Sequence, residues 1–170
     1  KQFVCSRSMQ GSSRRERATP SARARICRSI SDRSRMSVPY VRSSLIDFAS
    51  RAVNLAKNKL QQAKLQAELF VDDATRMQNI SGQFDFALDL GCFHGIENKE
   101  DYLTQLNRIL TPGGFWLIYG FFKSAPPQPG PGLVDSDLEL IQRHNLVLTS
   151  RKDGFDKRER PSAWFLFQQS

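Results

Sequence analysis

The sequence predicts an α/β protein built on a doubly wound, mostly parallel sheet that closes with an antiparallel hairpin. Three observations predict it. Strand-like and helix-like segments alternate from about Leu45 onward. The first three strand-like segments are short apolar runs that end in an acid or run into a glycine. The last two strand-like segments follow one another with only a polar turn between, as a hairpin requires.

The elements read in order. "SSLIDFAS" is a short apolar strand ending at Asp47, and "SRAVNLAKNKLQQAK" is a helix with Ala52, Val53, Ala56, Leu60 and Ala63 on one face and lysines on the other. "AELFVDDA" is a strand ending in Asp72 and Asp73, and "FDFALDL" is almost wholly apolar, as a strand covered on both faces would be. "NKEDYLTQLNRIL" is a helix that Asn98 can cap, with acids in its first turn and Tyr102, Leu103, Leu106, Ile109 and Leu110 as its buried stripe. "TPGG" stops it, and "FWLIYGFF" is the next strand. "SDLELIQRH" opens with the capping-box spacing of Ser136 and Glu139. "LVLTS" and "AWFLFQ" close the chain as a hairpin turning near Gly154.

The first 44 residues differ in kind. The chain of 170 residues has a formal charge of +8, and residues 1–44 hold 11 Lys/Arg against 2 acids. All the basic excess therefore lies in this Arg/Ser-rich segment, whose sparse apolar residues mark no stripe and whose only glycine is Gly11. Two units are expected: residues 1–44, disordered or a poor substitute for a first strand and helix, and the globular body of residues 45–170. An Arg- and Ser-rich, acid-poor stretch also has the composition of a transit segment, and the sequence begins at Lys1 rather than Met. No apolar run is long enough for a signal peptide core or a membrane span. Cys5, Cys27 and Cys92 are odd in number and far apart, which argues against a disulfide framework or zinc ribbon and for a reducing, cytoplasmic location.

"LDLGCFHG" could be the glycine turn that opens a nucleotide-binding domain, which would put an acidic strand end about 20 residues downstream. The next strand has no such acid; the acidic strand end lies upstream, at Asp47, so "FDFALDLGCFHG" is a middle strand. In that order the segments resemble the class I S-adenosylmethionine-dependent methyltransferases, especially the thiopurine and tellurite-resistance branch. "IDFASRAVNLAK" is similar to that family's second strand and helix, and "FVDDATRM" to its third strand end. "FDFALDLGCFHG" resembles the fourth strand, "LTPGGFWLIYGF" the fifth and "RPSAWFLFQ" the last, so the resemblance covers about residues 45–170.

The resemblance implies a Rossmann-like fold, S-adenosylmethionine as cofactor, a small-molecule methyl acceptor and a set of site residues. Asp47 would accept hydrogen bonds from the ribose hydroxyls, and Phe48 would offer an apolar surface to adenine. Asp73 and Ala74 would meet the adenine edge. Leu90 and Gly91 would lie along the methionine part, and Cys92 and His94 would line the acceptor mouth. Plainer roles compete: Asp47 as a turn former, Asp73 as a cap for "ATRMQNI", and Cys92 as a small buried hydrophobe. Cys92 and His94 are two potential ligands where zinc needs three or four, so no metal is expected. "SAPPQPGPG", Ser124 to Gly132, is a stiff connector that could be a lid over the acceptor or a solvated linker.

One departure stands against the resemblance. The family carries a glycine-rich turn after a central first strand, and residues 1–44 contain no G-x-G. The nearest substitute is "QFVCS" as strand, "SARARICRSISDR" as crossover helix and "PYVRSSLID" leading to Asp47. Residues 1–44 would then be mis-joined translation, a targeting segment, or a basic arm. In the last case a non-catalytic body would bind nucleic acid through the arm, although the arm lacks aromatic platforms for stacked bases.

Overall fold

The computed structural model describes residues 2–8, 41–123 and 131–170. Seven strands form one sheet: β1 (Gln2–Ser8), β2 (Val41–Asp47), β3 (Glu68–Val71), β4 (Phe84–Leu90), β5 (Leu110–Phe121), β6 (Leu146–Phe155) and β7 (Pro161–Gln169). Three α-helices accompany them: α1 (Ser50–Ala63), α2 (Lys99–Ile109) and α3 (Asp135–Arg143). The strand order is β3-β2-β1-β4-β5-β7-β6. The ladders give β2, β3, β4, β5 and β6 one common direction, with β7 reversed in the closing hairpin. The wound, mostly parallel α/β fold expected from the sequence is therefore the observed one.

The first strand is the exception. β1 fills the slot between β2 and β4, as the substitute "QFVCS" required, but it is antiparallel to both: Phe3 pairs with Ile46 and Ser8 with Val41, while Gln2 pairs with Leu90. A crossover helix would have brought β1 in parallel to β2, so the expected crossover arrangement is corrected here. The proposed helix "SARARICRSISDR" and most of the proline-rich connector lie outside the described residues.

α2 forms as its sequence dictates. Asn98 accepts a hydrogen bond from the Asp101 N–H at 3.2 Å, and Glu100, Asp101 and Arg108 stand where the helix dipole favours their charges. Its stripe, Tyr102, Leu103, Leu106 and Ile109, is fully buried on one face of the sheet against Phe84, Trp116, Phe165 and Phe167. Arg108 ties the preceding segment to the helix by donating to the carbonyls of Met77 and Ile80.

Other boundaries differ from the sequence reading. β5 begins at Leu110, so "TPGG" lies within the strand, where the β4 ladder shifts register between Phe84 and Phe86. Gly154 is inside β6; the hairpin turns after it, where Asp156 accepts from the N–H groups of Arg158 and Arg160. α3 is capped by Asp137, whose carboxylate accepts from the Val134 N–H at 3.0 Å, in place of the Ser136 and Glu139 box. On α1 only Val53 is fully buried. Leu45, Ala52, Leu55, Ala56, Leu60 and Leu65 line a hollow of about 570 Å³ between this helix and β2–β3, and Leu55 and Leu65 are exposed.

The sheet has two margins among the described residues. β3 is only four residues long, with Glu68 bonded to Arg42 and Ser44 of β2. β6 carries Arg151, Lys152 and Asp153 and a register shift between Leu148 and Ser150.

Leu146, fully buried at the start of β6, lies at the sheet edge opposite the strand tips that end in Asp47 and Leu90. Truncating it leaves a cavity without touching those tips, so Leu146→Ala should lower stability by about 2–5 kcal/mol in urea unfolding.

Candidate functional site

The carboxyl ends of β2, β3 and β4 stand side by side on one edge of the sheet, and every site residue expected from the sequence lies there. β2 delivers Asp47, which is 3% exposed and accepts from the Ala49 N–H through Oδ1 at 2.8 Å. This bond shapes the turn into α1. The next residue, Phe48, is 71% exposed at the rim. β3 pairs with β2 in parallel so that Val71 is level with Asp47, and the Asp72 N–H donates to the Asp47 carbonyl at 3.2 Å. Asp73 follows at the adjacent tip. Its Oδ1 accepts from both the N–H and the hydroxyl of Thr75 at 2.9 Å, which caps the turn after it, and Ala74 packs against the core. Asp72 bonds instead to the backbone and side chain of Asn79.

β4 ends in Leu90, 40% exposed, and Gly91, whose φ of +80° only glycine adopts without strain. A methyl group at Gly91 would also meet the His94 ring, 3.0 Å from Cε1. A short 3-10 turn, Phe93–Gly95, then carries His94 inward. Cys92 is buried. His94 is buried with its ring 4.2 Å from that of Phe121, and its carbonyl accepts from the Gly132 N–H at 2.9 Å. A hollow of about 400 Å³ opens beside it, lined by Glu97, Lys99, Lys123 and Gly132. Lys99 pairs with Asp137 at 3.2 Å. Among the described residues no group of three or more His, Cys, Asp or Glu side chains could hold a metal ion, and no helix is long and apolar enough to cross a membrane.

Two residues of this region were not singled out from the sequence. Asp89 is fully buried and accepts from the N–H groups of Cys92 at 2.6 Å and Phe93 at 2.9 Å and from the Tyr102 hydroxyl at 2.7 Å. Burial pushes its carboxyl up to about 6, against the three hydrogen bonds, which favour the ionised form. The signal was present: Asp89 is an acid flanked by apolar residues in a strand that otherwise reads as core. Tyr102 was legible only as one member of an apolar stripe.

Comparisons with known proteins agree with this fold. The methyltransferase domain family matches residues 27–114, just over half of the chain. An uncharacterized methyltransferase of Schizosaccharomyces pombe is 35% identical over 66 residues, which is 38% of this chain and 46% of that protein. The demethylmenaquinone methyltransferase of Deinococcus radiodurans is 30% identical over 103 residues, 59% of this chain and 39% of that protein. The chain thus spans less than half the length of these curated relatives. Among solved structures, TehB from Haemophilus influenzae superposes with a TM-score of 0.58 at 14% identity, covering 74% of this chain and 49% of that one. The 1,6-didemethyltoxoflavin-N1-methyltransferase of Burkholderia thailandensis, with 1,6-didemethyltoxoflavin and S-adenosylhomocysteine bound, superposes with a TM-score of 0.61 at 14% identity, covering 74% and 60%.

Two outcomes follow from the geometry. The Asp89 carboxyl titrates at about 6 when folded and near 3.8 when unfolded, so between these values the folded state holds the extra proton. Its contribution to stability is full below about pH 4, falls as pH rises to about 6 and is constant above; a shift of this size corresponds to about 3 kcal/mol. Asp89→Asn should remove that slope, as measured by urea unfolding from pH 4 to 7. Gly91→Ala should cost about 1–2 kcal/mol through its left-handed backbone and shift the His94 ring resonances in NMR spectra.

Proposed function

Because the chain belongs to the methyltransferase domain family, we propose that its body serves S-adenosylmethionine-dependent methyl transfer to a small-molecule acceptor, with turnover impaired by the reversed first strand. The observation that carries the reading is the single edge on which Asp47, Asp73 and the Leu90–Gly91 turn stand, at the tips of β2, β3 and β4. Small-molecule chemistry is supported by the Burkholderia enzyme, which holds such an acceptor on the same fold.

The adenosine half of the cofactor fits the residues present. Asp47 would accept from the ribose hydroxyls and Asp73 from the adenine amine, each carboxylate being held in place by its own turn. Phe48 is free at the rim to cover the base. Gly91 carries no side chain, and the space a methyl group there would take is already met by the His94 ring, so only glycine keeps the backbone of the β4 tip in this left-handed form at the edge. When bound, the cofactor supplies an activated methyl group on a sulfonium, whose transfer depends on alignment and exclusion of water. Cys92 and His94, both buried beside this tip, would bound the acceptor mouth.

Among the described residues the amino-acid half does not find a matching partner. β1 enters the sheet at this edge with Gln2 level with Leu90 and runs away from it, so the connection from Ser8 leaves from the opposite edge. The carboxyl end of β1 thus lies at the edge away from the β4 tip. This is the basis for proposing impaired turnover.

Calorimetric titration with S-adenosylhomocysteine tests both parts. Replacing residues 1–40 with a glycine-rich first strand and crossover helix should tighten binding at least about tenfold over the native chain. Asp47→Asn in the replaced chain should weaken it about 10- to 100-fold, the loss expected for a hydrogen bond to a charged group. Absence of binding in both chains would refute the cofactor reading, and equal affinity would refute the impairment.

A further inference from the structure

The turn that follows β4 is held from beneath by two side chains to which the methyl-transfer reading gives no task. Asp89 points into the core from the strand, one residue before the exposed Leu90, and gathers the successive N–H groups of Cys92 and Phe93. Two consecutive amides converging on one anion form a small concave cradle, which this chain fills with its own carboxylate. The Tyr102 hydroxyl, arriving from α2, donates to the oxygen that also accepts from Phe93. The rings complete the anchorage: Phe93 lies 5.4 Å from Tyr102 and 5.4 Å edge-on to Trp116 of β5. Lys99 Nζ sits 5.6 Å over the Phe93 ring.

We propose that Asp89 and Tyr102 are positioning residues: together they clamp the Leu90–His94 turn, so that the Gly91 backbone and the His94 ring are presented to the cofactor and acceptor in one fixed geometry. This rests on the methyl-transfer reading for the identity of the ligand, but the clamp itself is a property of the turn. The backbone requires it. With Gly91 in the left-handed region, the two amides after it are directed into a closed interior, where an unmet donor is costly. Without the carboxylate the turn must reopen toward water to satisfy them. The hydroxyl of Tyr102 then determines whether the carboxylate stays aligned with both amides, because it fixes the second oxygen from the helix side.

The test compares the full chain with Tyr102→Phe and with Leu146→Ala, the latter at the opposite edge of the sheet and more destabilising. Amide hydrogen exchange is followed at Cys92, Phe93 and His94 and, as reference, at Ile118 and Phe165 in the β5–β7 ladder. Tyr102→Phe should accelerate exchange at the turn at least about tenfold more than in the ladder, whereas Leu146→Ala should accelerate both alike. Uniform acceleration in Tyr102→Phe would overturn the clamp. S-adenosylhomocysteine titration supplies the second readout. Where the native chain binds, Tyr102→Phe should weaken affinity at least about fivefold and Leu146→Ala should leave it within about twofold; unchanged affinity in Tyr102→Phe would overturn the positioning role. If the native chain does not bind, the affinity comparison is made in the chain with the replaced first strand; absence of binding in both refutes the cofactor reading, and the exchange pattern then decides the clamp.

Discussion

The two ladders of β1 hold this sheet together. On one side of it lie β2 and β3, on the other β4, β5, β7 and β6, and among the described residues β1 is the strand that joins the halves. Backbone pairing is nearly indifferent to direction, and an antiparallel ladder is at least as stable as a parallel one. A reversed segment can therefore satisfy the N–H and C=O groups of β2 and β4 and close the core over them. Direction governs something else, the edge from which the next connection leaves. Completing the fold and completing the site are thus separate requirements, and the first can be met while the second is not.

The β4 tip shows a similar division of labour. Its outward side is minimal, a half-exposed leucine and a glycine, while its inward side concentrates a carboxylate, two amides and three aromatic rings, one of them a phenol. Burial opposes the charge of Asp89 and the donors favour it, and the balance leaves a group that titrates within reach of ordinary conditions. A strand tip with an open outer side must be stiffened from within.

Much of this was legible in the sequence, for definite reasons. α2 was readable because its cap, dipole charges and apolar stripe all agree, and the structure buries that stripe as expected. The wound order was readable from the alternation of elements, and the ends of β2 at Asp47, β3 at Val71 and β4 at Leu90 arrive on the same edge, with Asp73 two residues past its strand. The polarity of β1 was not readable, because "QFVCSRS" has no pattern that distinguishes a strand entering a slot from one end or the other. Boundaries around glycines were misplaced: at Gly154 the ladder overrode local turn chemistry, and at Gly113 and Gly114 the strand takes up the turn as an unpaired register shift. α1 was read as amphipathic with a continuous stripe, but periodicity shows which face is apolar and not how much of it is covered.

The outer strands of the sheet have a bearing on how the chain behaves at high concentration. A long, flat, uncharged outermost strand would offer its free backbone groups to a neighbouring molecule and seed stacked polymers. Here one flank is too brief to template such growth and the other is charged and locally offset, features that discourage lateral stacking. A sheet completed by an unusual central strand is thereby shielded from self-assembly at its periphery.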